Sequence, residues 1–167
     1  MITATEMLEI RAPAEAVFAY VDDIRNLGWH MTNRSSMAMM GSRLRLQILS
    51  DQATGLGATY RYSGTMMGLS IDFCESVTKY MPPREKVWRT LGECRLLIIA
   101  SYEMRLTVEP LSTSSSRLTI SIVSELPRSG CWRIVGLMLA RPYSHWCLRQ
   151  MLRDARHALE GPARVTA

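Results

Sequence analysis

WRIVGLMLARPYSHWCLRQMLRDARHALE, Trp132 to Glu160, is the only long helical pattern in the chain, and it lies close to the C-terminus. The residues before it mostly alternate as strands do, so this helix is the element over which a sheet would close. Its two halves read differently. Residues 132–140 are apolar nearly all round, the pattern of a segment covered on several sides. Pro142 removes an amide donor and is predicted to kink or split the helix near Ala140. Beyond it, Leu148, Leu152, Ala155 and Leu159 form one stripe, with Arg149, Arg153 and Arg156 opposite.

Working outward, residues 2–11 read as a first strand that stops at Ala12-Pro13, where Pro13 suits a first helical turn. Ala16, Val17, Tyr20 and Ile24 then recur at helical spacing, Asn26-Leu27-Gly28 breaks the pattern, and a second short helix or loop begins at Trp29-His30-Met31. From Met37 the period becomes two. Leu44, Leu46 and Ile48 alternate with Arg43, Arg45 and Gln47, and residues 51–57 make a turn. Residues 58–67 and 69–81 are strands joined at Gly68, the second ended by Pro82-Pro83. Residues 84–93 and 95–110 are two more, the polar run 111–116 is a turn, and 117–126 is the last strand. The order is strand, two short helices, six strands and long helix, an α+β arrangement with an antiparallel meander of about seven strands. No repeat or linker divides residues 1–167, so one domain is predicted.

Composition excludes several classes. A hydrophobic fraction of 47% and a charged fraction of 21% are ordinary for a globular chain. No apolar run reaches the roughly 18 residues of a membrane span, and the N-terminus has no basic-then-apolar leader, so a cytoplasmic location is the default expectation. The four cysteines (Cys74, Cys94, Cys131, Cys147) form no CxxC pair, and with three scattered histidines they predict free thiols and no metal. No motif for a zinc peptidase, a serine hydrolase or a phosphate-binding loop is present, and no cofactor is implied. The net charge of +5 is local: residues 128–167 carry seven arginines against Asp154 and Glu160, and the charges of residues 1–127 cancel. That face is either a solvated helix surface or a docking surface for an anionic membrane or acidic protein. Nothing suggests nucleic-acid binding, because basic and aromatic residues do not interleave on strands.

The segments IRAPAEAVFAYVDDIRNLGWH (10–30), GLGATYRY (55–62) and VTKYMPP (77–83), with a terminal helix running into Ala158-Leu159-Glu160, carry a resemblance. The chain resembles the SRPBCC superfamily, the START-like or Bet v 1-like helix-grip proteins that include polyketide cyclases and lipid-transfer domains. The likeness spans residues 3–160. It implies a curved antiparallel sheet wrapped around the long C-terminal helix, two short helices after the first strand, and an elongated cavity between sheet and helix. It implies no catalytic residue, since the superfamily shares no catalytic signature.

Alternation predicts which side chains would line such a cavity. With Phe73 and Val77 inward, Ile71 and Glu75 follow, and the neighbouring strands offer Tyr60, Tyr62, Trp88, Thr90, Tyr102, Met104, Leu106 and Val108. The helix offers Ile134, Leu137 and Met138. Each residue has core packing as its alternative, but as a set they form a mostly apolar lining with a few hydroxyls. Glu75, if inward, is a desolvated carboxyl with a raised pKa and a candidate acid or base; a bulge would instead turn it outward beside Asp72 or Lys79. His30 is a second candidate, at the entrance or simply on the surface. Met31, Met37, Met39, Met40, Met66 and Met67 cluster near the expected opening, as adaptable lining or as filler.

Three functions fit this reading. The first is binding or transport of a hydrophobic small molecule, such as a lipid, an isoprenoid or a polyketide-like ring system. The second, which the resemblance permits, is a cyclase/dehydratase-like enzyme with Glu75 or a tyrosine moving protons. The third is docking through the arginine-rich helix. The balance leans away from catalysis, and oligomeric state and ligand identity are not encoded in any motif.

Overall fold

The computed structural model describes residues 1–27, 43–66, 68–92, 99–126 and 131–161. Strand β1 (Ile2–Ile10) is followed by helices α1 (Ala14–Asp22) and α2 (Ile24–Leu27). Six strands come next: β2 (Arg43–Ile48), β3 (Thr59–Met66), β4 (Leu69–Met81), β5 (Glu85–Leu91), β6 (Ser101–Ser112) and β7 (Ser115–Glu125). Helix α3 (Cys131–Glu160) ends the fold.

All seven strands form one curved antiparallel sheet in the order β1-β7-β6-β5-β4-β3-β2. In the meander from β2 to β7 each strand pairs with the next, and the connections β3–β4, β4–β5 and β6–β7 are only two or three residues long. β1 then closes on β7, with Ile2 opposite Ser124 and Ile10 opposite Ser116, so the first strand lies beside the last. The period-two pattern converts directly into two faces. Ala4 and Ile10 on β1, Leu106 and Val108 on β6, and Leu118, Ile120 and Ile122 on β7 are buried on the face against which α1 and α3 pack.

α3 seats mainly on β1. Its buried positions in the described stretch are Gly136, Ala140, Ser144, Leu148, Met151, Leu152 and Ala155, three or four residues apart except for the adjacent Met151 and Leu152, and the small members let the first half lie close to the sheet. Two polar ties fix it. Glu6 Oε1 lies 2.8 Å from His145 Nδ1 and accepts from Arg149 Nε at 2.9 Å, while Glu160 Oε1 accepts from the Arg11 amide at 2.7 Å.

Several expectations need correction. Pro142 does not split α3; the helix runs unbroken from Cys131 to Glu160, and both Pro142 and Met138, whose carbonyl lacks the proline N–H, face solvent. Residues 132–140 are not covered throughout: Leu137, Met138 and Leu139 are 60%, 73% and 52% exposed. Arg149 is not confined to the solvent side, since it reaches Glu6. The first helix ends at Asp22, and Asn26-Leu27 belongs to α2 rather than breaking a helix. α1 buries Ala14, Val17, Phe18 and Val21, with Ala16 exposed. The hairpin between β6 and β7 is shorter than the polar run 111–116, because the strands extend to Ser112 and from Ser115. The second short segment expected from Trp29 lies outside the described residues.

One glycine is dictated by geometry. Gly64 has φ +146°, and a Cβ there would stand 2.0 Å from the Arg43 carbonyl oxygen on β2. No side chain fits between these two strands.

Candidate functional site

The inner faces of β3, β4 and β5 form rows across the sheet. Tyr60 pairs with Glu75 and Glu75 with Thr90; Tyr62 pairs with Phe73; Val77 pairs with Trp88 and Trp88 with Met104. Tyr60, Tyr62, Ile71, Phe73, Trp88 and Met104 are all buried, and Tyr102 is partly buried. Tyr62 stacks on Phe73 at 5.1 Å between ring centroids, and Tyr102 meets Phe73 edge-on at 6.2 Å. Thr90 Oγ1 accepts from the Tyr102 amide at 3.1 Å, fixing β5 to β6 where the regular pairing ends.

Glu75 sits in this aromatic setting, 2% exposed, and its Oε2 has no hydrogen-bond partner among the described residues. It faces inward, so the outward alternative beside Asp72 or Lys79 does not hold; Asp72 instead pairs with Arg61 on the outer face. Desolvation pushes the Glu75 carboxyl up to about 8, against a smaller opposing pull from the Lys86 ammonium. The carboxyl is therefore mostly protonated at neutral pH and can both give and take a proton in that range. Burial also raises the Tyr60 and Tyr62 hydroxyls, so both stay neutral donors. Tyr60 spends its proton on the Ala53 carbonyl at 2.7 Å.

Three groups not singled out from the sequence, Asp22, Tyr80 and Lys86, form a largely buried polar cluster. Lys86 is fully buried, and its Nζ donates to Asp22 Oδ1 at 2.7 Å and to the Asp22 carbonyl at 2.6 Å. Tyr80 donates to Asp22 Oδ2 at 2.7 Å and packs against Phe18 at 5.9 Å. The same ammonium stands 5.9 Å from the ring centroids of both Tyr60 and Trp88. Burial lowers the Lys86 pKa, and the bonds to Asp22 oppose that fall. A signal for Lys86 is present in the sequence: it lies two residues before Trp88 on the same face. Tyr80 has no such signal, because the register shift between Val77 and Lys79 turns it inward out of phase.

The remaining expected residues divide plainly. Met138 and Leu137 do not face the sheet; α3 turns them to solvent. His30 and Cys94 lie outside the described residues, as do the methionines of residues 31–40 and the side chains of Cys131 and Ile134. Cys74 and Cys147 are free thiols, and burial pushes Cys147 up to about 11. Among the described residues no group of histidines, cysteines and carboxylates is arranged to hold a metal. No helix there is long and apolar enough to cross a membrane.

Solved structures match this architecture over nearly its whole length. The protein TTHA0849 from Thermus thermophilus aligns at a TM-score of 0.71 and 13% identity, over 97% of this chain and 99% of its own. The Zhui aromatase/cyclase from Streptomyces sp. R1128 aligns at 0.67 and 15% identity, over 99% of both chains. Norcoclaurine synthase from Thalictrum flavum, solved with dopamine and hydroxybenzaldehyde, aligns at 0.64 and 13% identity, over 98% of this chain and 89% of its own. The chain has the helix-grip fold. The di-domain aromatase/cyclase BexL shares it too, at 0.67 and 14% identity, with the chain spanning 48% of that longer protein. No protein-family model and no curated protein sequence matches. The pairings from Val77 through Trp88, Met104 and Ile122 to Ala4 put the Glu75 row on the same face of the sheet as Glu6, which holds α3.

Proposed function

We propose that the chain binds an apolar small molecule, of lipid, isoprenoid or polyketide-like ring type, between the inner face of the sheet and α3. Glu75 carries the reading: a buried carboxyl with an unpartnered oxygen, set among Tyr60, Tyr62 and Phe73. An orphaned buried polar atom costs roughly 1–3 kcal/mol, and a hydroxyl or carbonyl on a bound ligand would recover it. The aromatic faces supply the apolar contact, and the neutral carboxyl supplies orientation. Native mass spectrometry of the purified protein, followed by solvent extraction, tests this. A co-purifying apolar molecule supports the reading, and Tyr102→Ala should weaken binding of an aromatic fluorescent probe while leaving the fold intact. A ligand-free mass together with no probe binding by the wild type overturns it.

A second reading rests on the same group. A carboxyl held at about 8 is balanced between its two forms near neutral pH, which suits general acid–base work. Two of the solved relatives are described as aromatase/cyclases and one as norcoclaurine synthase. In this reading the pocket holds a poly-keto substrate, and Glu75 protonates a carbonyl or removes an α-proton during ring closure or dehydration. Glu75→Gln would then abolish turnover of a poly-β-keto thioester surrogate while the surrogate still binds. Unchanged turnover in that variant removes Glu75 from any chemistry.

A further inference from the structure

Leu137, Met138 and Leu139 are consecutive in α3, and all three are more than half exposed. At 100° per residue they cover a wide arc of the helix, so no rotation of α3 on the sheet would bury them together. The buried stripe of Gly136 and Ala140 already occupies the opposite side. Three large apolar side chains in water cost on the order of several kcal/mol of unrealised burial. A patch of that kind marks a surface that meets something else.

The charge beside the patch identifies the partner. Arg141 follows Leu137 and Met138 by one turn, and Arg156 lies five turns from Met138 on its own face. Arg141 and Arg153 are exposed and make no ion pair among the described residues. Between Gly136 and Arg153 α3 carries no acidic residue. An outer face that mixes leucine and methionine with arginine, and lacks acids, matches the interfacial zone of an anionic bilayer. There apolar side chains enter the acyl boundary, and arginine stems lie along it with their guanidinium groups among the phosphates. An acidic protein would match the arginines but leave the apolar triplet unanswered. Pro142 agrees with shallow seating, because the Met138 carbonyl has no helical donor and needs water or headgroups.

We propose that the outer face of α3, centred on Leu137, Met138, Leu139 and Arg141, docks the protein peripherally on anionic lipid surfaces. None of these residues belongs to the Glu75 site, so the proposal stands or falls apart from the ligand reading. An apolar ligand would in that case be collected from, or delivered to, the bilayer itself.

Vesicle co-sedimentation of the full chain tests it, with phosphatidylcholine alone and with phosphatidylcholine mixed with phosphatidylglycerol. The wild type should sediment with the mixed vesicles, and far less with neutral ones or at high salt. Leu137→Ser with Met138→Glu should abolish binding. Arg141→Glu with Arg153→Glu should weaken it about ten- to a hundredfold, at about 1 kcal/mol for each basic residue near the surface. Because these residues are exposed, all variants should melt at the wild-type temperature. Wild-type protein that stays in the supernatant with both vesicles, or an apolar variant that binds as well as wild type, overturns the proposal. Retention on immobilised poly-glutamate without vesicle binding also overturns it, in favour of an acidic polypeptide partner.

Discussion

Glu75 is a carboxyl that folding strips of water without offering it a full set of partners. Its pKa of about 8 in the fold lies above the ordinary carboxylate value of 4.5. Below pH 4.5 the group is protonated whether the chain is folded or not, and it imposes no penalty. Between 4.5 and 8 the unfolded chain has lost the proton that the fold keeps, so stability falls as pH rises through this window. Above 8 the loss is complete and amounts to a few kcal/mol. Glu75→Gln removes the titration. Its stability relative to wild type should therefore rise between about pH 4.5 and 8.5, read by urea unfolding at each pH; a constant difference would mean that Glu75 is solvated. Gly64 makes a different kind of demand. Gly64→Ala places a methyl against the Arg43 carbonyl at a φ of +146°, and it should cost about 1–3 kcal/mol by the same unfolding measurement. A neutral Gly64→Ala would show that β2 and β3 can spread apart there.

The end of α1 is held to the sheet by a polar contact rather than by apolar packing alone. Asp22 accepts from Lys86 on β5 and from Tyr80 on β4, so three elements meet at one carboxylate. Lys86→Met leaves Asp22 buried with only the tyrosine proton, and it should cost about 3–5 kcal/mol. The double variant Asp22→Leu/Lys86→Met should cost much less than the two single variants together, since it removes both charges. Additive losses in that cycle would mean that the two groups do not interact. Tyr80→Phe, which leaves the ion pair intact, should cost only about 1 kcal/mol. This cluster also shows where reading the sequence stops. Strict alternation identifies Tyr60, Phe73, Glu75, Trp88 and Met104 as inward, because the pleat transmits one residue's direction to its neighbours at every second position. Lys86 obeys the same rule, yet a lysine on an apolar face has meaning only once Asp22 is opposite it. Tyr80 violates the rule through a bulge, which leaves no mark in composition. On α3 the limit is of another kind. An all-round apolar segment implies burial only if neighbours exist on every side, and among the described residues Leu137, Met138 and Leu139 have none that covers them.

The order of the sheet brings both ends of the chain together. β1 pairs with β7, and α3, the last element, takes β1 as its main seat. Glu6 holds His145 and Arg149, Ser116 Oγ donates to the Ala12 carbonyl at 2.7 Å, and Glu160 receives the Arg11 amide. The helix therefore depends chiefly on the first strand, with smaller contacts to β7, α1 and α2, and among the described residues the first strand pairs only with β7. Sheet and helix should unfold as one unit. Ile10, fully buried at the end of β1, is the place to test this. Ile10→Ala should lower stability by about 2–5 kcal/mol through the cavity it leaves. Far-ultraviolet circular dichroism follows the helix, and the near-ultraviolet signal follows the packed aromatics of β3, β4 and β5. In the wild type both should report a single midpoint in urea, and in Ile10→Ala both should shift by the same amount. If the helix signal were lost first while the aromatic signal kept its midpoint, β1 and α3 would form a separate unit docked on an independently stable sheet. That outcome would make the seat of α3 a movable part. A common shift makes α3 as stable as the sheet, so a ligand of the proposed kind would enter and leave without the helix lifting off.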